Sequence, residues 1–209
     1  MDTLPLFCHA MDGKAISEGG TKMGLNTLFL AHKFVSEHVK QGDFCIDATA
    51  GKGRDTAFLC DLVKERGKVL AFDIQPDAVA QTRALMEERG YEQIAEVILD
   101  SHSNMEQYAL PETVDCIMFN FGWLPGGSHK IFTRPDTSIP AIEGGLRLLK
   151  PGGIMSLCIY YGGESGYEER DALLEYLATI DNRKYTVIVN TFHNRTGDPP
   201  IPVYIYKEI

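Results

Sequence analysis

One segment, residues 44–56, constrains the fold of this chain more than any other. Its apolar start ends at Asp47, and Gly51 and Gly53 follow with one residue between them. A helical pattern begins directly afterwards. This order predicts a strand, a tight turn and a helix start, which together bring a ligand close to bare backbone.

A second apolar run, residues 68–72, ends at Asp73. Two strands that end in acids, with one helix between them, predict a nucleoside-bearing ligand that lies across the strand tips. Two simpler interpretations stay open, because Asp47 and Asp73 could each serve only to cap a helix.

Strands and helices alternate along the chain, which predicts an α/β fold with a mostly parallel seven-stranded sheet. No helical pattern separates the last two strands, so they are expected to pair as an antiparallel hairpin. The predicted strands are 44–48, 68–73, 95–99, 114–119, 154–160, 184–192 and 201–207. The predicted helices are 25–39, 54–65, 76–86, 137–149 and 167–180.

Composition and length favour one soluble domain over residues 1–209. No uncharged apolar run reaches the roughly 18 residues of a membrane span. The five cysteines form no C-x-x-C pair, which predicts reduced thiols, a cytoplasmic location and no metal site. The net charge of −9 weighs against a nucleic-acid partner, but the acidic excess lies in 61–115 and 164–181 and leaves a basic face possible elsewhere. The acidic pair Glu168-Glu169 is expected on a solvated helix start.

Two other nucleotide-binding turns fit the glycines less well. A nicotinamide-dependent dehydrogenase would carry G-x-G-x-x-G, and Thr56 stands where the third glycine belongs. Lys52 suggests a phosphate-binding loop, but the required G-x-x-x-x-G-K-[S/T] spacing is absent.

The order of motifs resembles a class I S-adenosylmethionine-dependent methyltransferase, with a Rossmann-like fold and helices on both faces of the sheet. The elements that carry the resemblance are Asp47-x-Thr49-x-Gly51-x-Gly53, Asp73, Asp100, Asn120, the Lys150-Pro151-Gly152-Gly153 turn and the final hairpin. Thr49 departs from the commonest pattern, in which glycine stands at that position.

The resemblance implies S-adenosyl-L-methionine as the cofactor. Gly51 and Gly53 would let the backbone approach its methionine part, and Asp47 would face its ammonium group or hold the loop. Asp73 would accept hydrogen bonds from the ribose hydroxyls. Asp100 would hold the adenine amino group together with Ser101 or His102. The cofactor-binding residues implied are Asn26, Asp47, Thr49, Gly51, Gly53, Asp73, Gln75, Asp100 and His102, with the loop and helix of residues 1–40 closing the site.

The segment 120–130 points to an amine as the methyl acceptor. The carboxamide oxygen of Asn120 can accept a hydrogen bond from an amine and aim its lone pair, and Trp123 can stack on a flat base. An amide is not basic, so His129 or His193 is the better candidate for any proton acceptor. The predicted catalytic residues are Asn120, Trp123 and His129.

The same segment resembles the YtqB/MnmM-type group of tRNA wobble-uridine methyltransferases, long labelled rRNA methylases. That resemblance implies methylation of the amine of 5-aminomethyl-2-thiouridine in a tRNA anticodon stem-loop, and by analogy a homodimer. The expected substrate-binding residues are Tyr160, Tyr161, Lys130, Arg134, His193 and Arg195, although side chains alternate, so one tyrosine must point away. A ribosomal RNA or small-amine methyltransferase and a non-catalytic nucleotide-binding module stay open as alternatives.

Overall fold

The computed structural model describes residues 25–122 and 133–209, apart from the side chains of 163–165. The helices are α1 (Thr27–His38), α2 (Arg54–Val63), α3 (Pro76–Arg89), α4 (Pro135–Leu148) and α5 (Gly163–Leu177), with short 3-10 helices at Lys64–Arg66 and His102–Gln107. The strands are β1 (Phe44–Asp47), β2 (Lys68–Asp73), β3 (Ala95–Leu99), β4 (Val114–Phe121), β5 (Leu149–Ile159), β6 (Tyr185–Val189) and β7 (Ile201–Lys207).

These strands form one sheet in the order β3-β2-β1-β4-β5-β7-β6. The first five strands run parallel, and β7 pairs antiparallel with both β5 and β6. The predicted α/β class and the antiparallel pairing of the last two strands are therefore confirmed. The chain order reverses between β1 and β4, and ligands of open α/β sheets bind at the carboxyl ends of strands beside such a reversal.

Alternating side chains of the strands pack into two separate cores, one on each face of the sheet. Cys45, Val69 and Cys116 belong to the core that α1, α2 and α3 cover. Ile46 and Ile117 belong to the core that α4 and α5 cover. The helices thus lie on both faces, as expected. In the described ranges 25–122 and 133–209, no helix is both long and apolar enough to cross a membrane.

The observed elements differ from the predicted ones by more than three residues at three places. The segment 150–153, predicted as a turn, is the irregular first part of β5, because Leu149 already pairs with Val114 and the register shifts before Cys116. Gly152 takes a left-handed φ of 78° within this segment, so the strand bends without losing its partner. The other two differences are that α5 begins at Gly163 and that the 3-10 helix at His102–Gln107, too short for a helical period, was not predicted.

The start of α1 is fixed to the connection between β6 and β7. Asn26 caps the helix, since its Oδ1 accepts a hydrogen bond of 2.8 Å from the Phe29 amide. The Thr27 hydroxyl donates to the Pro200 carbonyl oxygen at 2.6 Å. The Arg195 guanidinium donates to the Leu25 carbonyl oxygen. These contacts hold α1 where Leu28 and His32 face the loops that follow β1.

A substitution at Gly53 tests the packing of α2 on α3. It has a φ of 77°, and a Cβ there would lie 3.0 Å from Thr82 Cγ2 and 3.1 Å from Thr82 Cα. We expect Gly53→Ala to lower the free energy of unfolding by about 2–4 kcal/mol, from left-handed strain and overpacking together.

Gly90→Ala is the matched control. Gly90 has a φ of 70° but has nothing within 4 Å of the added Cβ, so only the strain of about 1–2 kcal/mol applies. Urea unfolding measures both variants, and equal losses would contradict the packing role of Gly53.

Candidate active site

A cavity of about 340 Å³ opens at the carboxyl ends of β1, β2, β3 and β4. Loops after four parallel strands meet there, as expected for this sheet order. Its walls are formed by Leu28, Ala48, Thr49, Ala50, Gly51, Lys52, Arg54, Asp55, Phe72, Asp73, Ile74, Gln75, Asp100, Ser101, His102, Asn120, Gly122, Thr133, Thr137 and Tyr160.

Asp47 holds the loop between β1 and α2 from beneath. Its side chain is fully buried, and its two oxygens accept hydrogen bonds from the Thr49 amide at 3.2 Å and the Thr56 hydroxyl at 2.6 Å. Burial, and then the nearby charge of Asp55, raise its pKa to about 7. Of its two predicted roles the structure favours the loop. Asp47 is not among the residues that line the cavity, so the alternative of facing the cofactor's ammonium group finds no support.

The two glycines of the turn, Gly51 and Gly53, have different surroundings. Gly51 lines the cavity with a φ of 54°, which suits close approach of a ligand to the backbone. Gly53 does not line the cavity, and the space that its missing side chain leaves is filled by Thr82. The structure therefore supports a role of Gly53 in helix packing and gives no support to the prediction that it admits the cofactor.

Asp73 joins two loops at the cavity wall. Its Oδ2 accepts from the Gly51 amide and its Oδ1 from the Gln75 amide, each at 2.9 Å. Each carboxylate oxygen keeps a further acceptor site for a ligand hydroxyl. Thr49 makes a comparable link, since its hydroxyl oxygen accepts a hydrogen bond of 2.7 Å from the backbone N–H of Asn120. This bond gives the threonine a use that glycine could not supply.

Asp100 and His102 lie together beyond the end of β3. Asp100 accepts hydrogen bonds from Asn104 and Tyr108, each at 2.8 Å, and these bonds lower its pKa. Burial lowers the pKa of His102 to about 4, so its imidazole is neutral near pH 7. The Nε2 atom of His102 is buried and has no hydrogen-bond partner among the described residues. Other atoms of this residue line the cavity.

Asn120 belongs to a chain of side chains that the sequence did not reveal. Its Nδ2 donates to Asp55 Oδ2 at 2.7 Å, and Asp55 Oδ1 lies 2.7 Å from His32 Nε2. A carboxylate only accepts hydrogen bonds, so the amide nitrogen of Asn120 must face Asp55 and its oxygen is left for a ligand. Asp55 is buried within the cavity wall.

Three charged wall residues were missed by the sequence analysis: Lys52, Arg54 and Asp55. They follow Gly51 directly in the loop and in the first turn of α2, which is the only sequence signal that could have found them. The side chains of Lys52 and Arg54 are exposed at the cavity and bring positive charge to it.

The two adjacent tyrosines after β5 point in different directions, as the alternation of side chains requires. Tyr160 lines the cavity. Tyr161 does not: it packs against the core and lies beside Tyr167, with ring centroids 5.8 Å apart, and the Arg170 guanidinium lies 4.9 Å from its centroid. The prediction that Tyr161 binds substrate in the cavity is not supported.

The other predicted residues lie elsewhere. Asn26 caps α1 and is not on the cavity wall. Arg195 stacks on Phe192 at 3.8 Å, and His193 is exposed beside it. Arg134 is exposed at the start of α4. The remaining predicted residues, Trp123, His129 and Lys130, lie outside the described residues.

Glu169 is buried rather than solvated, which corrects the expectation for the acidic pair. Its carboxylate accepts hydrogen bonds from the Thr133 hydroxyl at 2.8 Å and the Ser138 hydroxyl at 2.6 Å. Burial raises its pKa, and these two bonds oppose the rise. Thr133 in turn accepts from the Gly122 amide at 2.7 Å. Glu169 therefore fixes Thr133 and, through it, Gly122, and both of these residues line the cavity.

Comparison with known proteins gives the family. A family model described as "Putative rRNA methylase" matches residues 69–206. The chain belongs to this family. The "tRNA (mnm(5)s(2)U34)-methyltransferase, chloroplastic" of Arabidopsis thaliana is 35% identical over 154 residues, which are 69% of this chain and 56% of that protein. The chain thus matches about half the length of this curated relative.

Solved structures of similar proteins cover the chain more fully. A "putative rRNA-methylase" from Clostridium thermocellum is 43% identical with a TM-score of 0.86, covering 88% of this chain and 98% of that one. A "putative methyltransferase" from Streptococcus mutans, solved in complex with SAH, is 34% identical with a TM-score of 0.79, covering 88% and 99%. The predicted methyltransferase fold is confirmed by these likenesses.

The buried carboxyl of Asp47 should make stability depend on pH. Between its ordinary pKa and about 7 the folded chain keeps this proton while the unfolded chain has lost it, so rising pH favours unfolding. We expect the stability of Asp47→Asn relative to the natural chain to increase from pH 4 to 7, by at most about 1.4 kcal/mol per pH unit, and then to level off. Denaturant unfolding across this range measures it, and a constant difference would contradict the assignment.

Proposed function

We propose that this chain is an S-adenosyl-L-methionine-dependent N-methyltransferase that acts on RNA, with 5-aminomethyl-2-thiouridine at the tRNA wobble position as its substrate. The observation that carries the proposal is the orientation of Asn120. Its amide nitrogen is bonded to Asp55, and this leaves its oxygen as an acceptor for a substrate N–H. An acceptor at that point suits an amine.

The cavity residues fit the proposed cofactor. Neutral His102 and the Asp100 carboxylate, which both line the cavity, suit the adenine end, and Asp73 suits the ribose hydroxyls. Gly51 gives the methionine part an approach to the backbone, and Lys52 offers positive charge for its carboxylate. When bound, this cofactor supplies a methyl group on a positively charged sulfur.

The residues of this chain then orient and enclose the acceptor. Asn120 directs the amine lone pair toward the methyl group. Correct orientation of the two reactants by itself lowers the activation barrier. Tyr160 adds an aromatic wall on the same side of the cavity. The likeness to a relative named for the wobble uridine supports the choice of tRNA. The family description favours ribosomal RNA as the second candidate.

Methyl transfer to two RNA pools tests the substrate. The chain is incubated with labelled cofactor and either tRNA that lacks the terminal methyl group or ribosomal RNA, and the nucleosides are analysed by mass spectrometry. We expect 5-aminomethyl-2-thiouridine to be replaced by its methylaminomethyl form. tRNA without the aminomethyl group serves as the control and should take up no label. Label only in ribosomal RNA would support the second candidate.

Two substitutions should separate cofactor binding from turnover. Asp73→Ala removes the ribose acceptor and the loop contacts, so the affinity for S-adenosylhomocysteine should fall by about tenfold or more. Asn120→Ala removes the orientation of the acceptor and the bond to Asp55 but none of the contacts assigned to the cofactor, so turnover should fall by about 100-fold with little change in that affinity. Calorimetry and single-turnover rates measure the two effects, and equal losses of cofactor affinity would contradict the assigned roles.

A further inference from the structure

We propose that Asp55 accepts a proton from the substrate ammonium and that His32 positions the Asp55 carboxylate for this step. The proposal rests on the proposed function, because it needs an amine substrate. It assigns the proton acceptor to the first turn of α2 and its support to α1. Neither residue was among the acceptors that the sequence suggested, His129 and His193.

The chemistry requires a proton acceptor. An alkylamine resembles lysine, whose ordinary pKa is about 10.4, so most of it is protonated near neutral pH and has no lone pair. In the proposed step one N–H proton passes to Asp55, and the freed lone pair forms the N–C bond. The C–S bond breaks with its electron pair on sulfur. The product is a methylated ammonium beside a neutral thioether and a protonated Asp55.

The geometry places Asp55 next to the group that orients the amine. Asp55 lines the cavity, and its Oδ2 lies 2.7 Å from Asn120 Nδ2. Both carboxylate oxygens are already bonded once, but each has a second acceptor site. An ammonium that donates one hydrogen to the Asn120 oxygen therefore has a carboxylate adjacent to it for the next hydrogen.

His32 holds the carboxylate from the other side. Its Nε2 lies 2.7 Å from Asp55 Oδ1, and its ring stacks on Phe58 with centroids 3.9 Å apart and planes inclined by 7°. The stacking and the hydrogen bond together fix both side chains. With its side chain 29% exposed, His32 also links this buried carboxylate to solvent.

The other titratable groups around Asp55 are less suitable acceptors for the ammonium proton. The groups that face it are His32 on α1, Asp47 on β1, and Cys158 and Tyr160 on the β5 side. Asp47 does not line the cavity, and burial raises the pKa values of Cys158 and Tyr160, so both stay protonated. His102 also lines the cavity, but it lies beyond the end of β3, and the side chain bonded to Asn120 is Asp55.

Asp55→Asn tests the carboxylate without removing the acceptor for Asn120, because an amide oxygen can take that hydrogen bond. We expect the single-turnover rate on tRNA with 5-aminomethyl-2-thiouridine to fall by about 100-fold or more at pH 7. The deficit should shrink as pH rises, since solvent then deprotonates the amine. Asp77→Asn is the matched control: Asp77 lies in the first turn of α3 and is exposed, so this variant should keep the natural rate.

His32→Ala and His32→Gln test the positioning role. The glutamine amide can donate to Asp55, so we expect the turnover rate of His32→Gln to stay above that of His32→Ala, with the KM for tRNA unchanged in both. Equal rates in the two variants would overturn the positioning role.

Calorimetry with S-adenosylhomocysteine separates the remaining outcomes. Natural affinity in Asp55→Asn supports the proposal, whereas a tenfold loss would assign Asp55 to the cofactor's ammonium group and overturn it. A rate within threefold of the natural chain at pH 7 would also overturn it and leave the proposed function intact. Failure of the natural chain to methylate this tRNA would overturn both.

Discussion

A carboxyl group with no exposure to solvent stands at the end of β1, and the two hydrogen bonds that it accepts hold the loop that forms one wall of the cavity. Asp47 ties Thr49 at the start of the loop to Thr56 inside α2. This short span fixes the path of the chain through Gly51. The hydroxyl of Thr49 then accepts a hydrogen bond from the backbone N–H of Asn120. The position of the carboxyl end of β4 therefore depends on the same carboxyl group.

Burial of the Asp47 carboxyl costs free energy, and in return its hydrogen bonds fix the loop. Removing a carboxyl group from water disfavours its charged form, and the charge of Asp55 nearby adds to that effect, which is why the pKa of Asp47 reaches about 7. Two hydrogen bonds offset part of the cost. A turn that keeps a left-handed glycine at the cavity wall needs such local fixation.

The sequence predicts the sheet and several residues of the cavity wall, for a physical reason. In a parallel sheet all the strands end on one side, so the polar residues that follow β1, β2, β3 and β4 meet there whatever the loop lengths. Asp73, Asp100 and Asn120 could be placed by that rule alone. Gly53 shows its limit, since the pattern does not tell whether a glycine faces a ligand or a packed helix.

The contacts among His32, Asp55 and Asn120 could not be predicted in this way. His32, Asp55 and Asn120 come from α1, α2 and β4, and nothing in their spacing along the chain indicates that they touch. The same holds for Glu169, which the sequence suggests is solvated but which the fold buries against Thr133 and Ser138. Contacts between helices depend on packing rather than on strand order, so only a structure reveals them.

The charges of the cavity suit methyl transfer to an amine better than transfer to a neutral oxygen. The wall carries three carboxylates, Asp55, Asp73 and Asp100, against the cations Lys52 and Arg54. With an amine acceptor, positive charge moves from sulfur to nitrogen instead of disappearing, and a fixed carboxylate beside Asn120 stabilises the substrate ammonium before its proton is removed. In the proposed mechanism such a site raises the rate chiefly by orientation and by removal of one proton. The hydrogen-bonded chain from His32 to Asn120 would provide the groups for both.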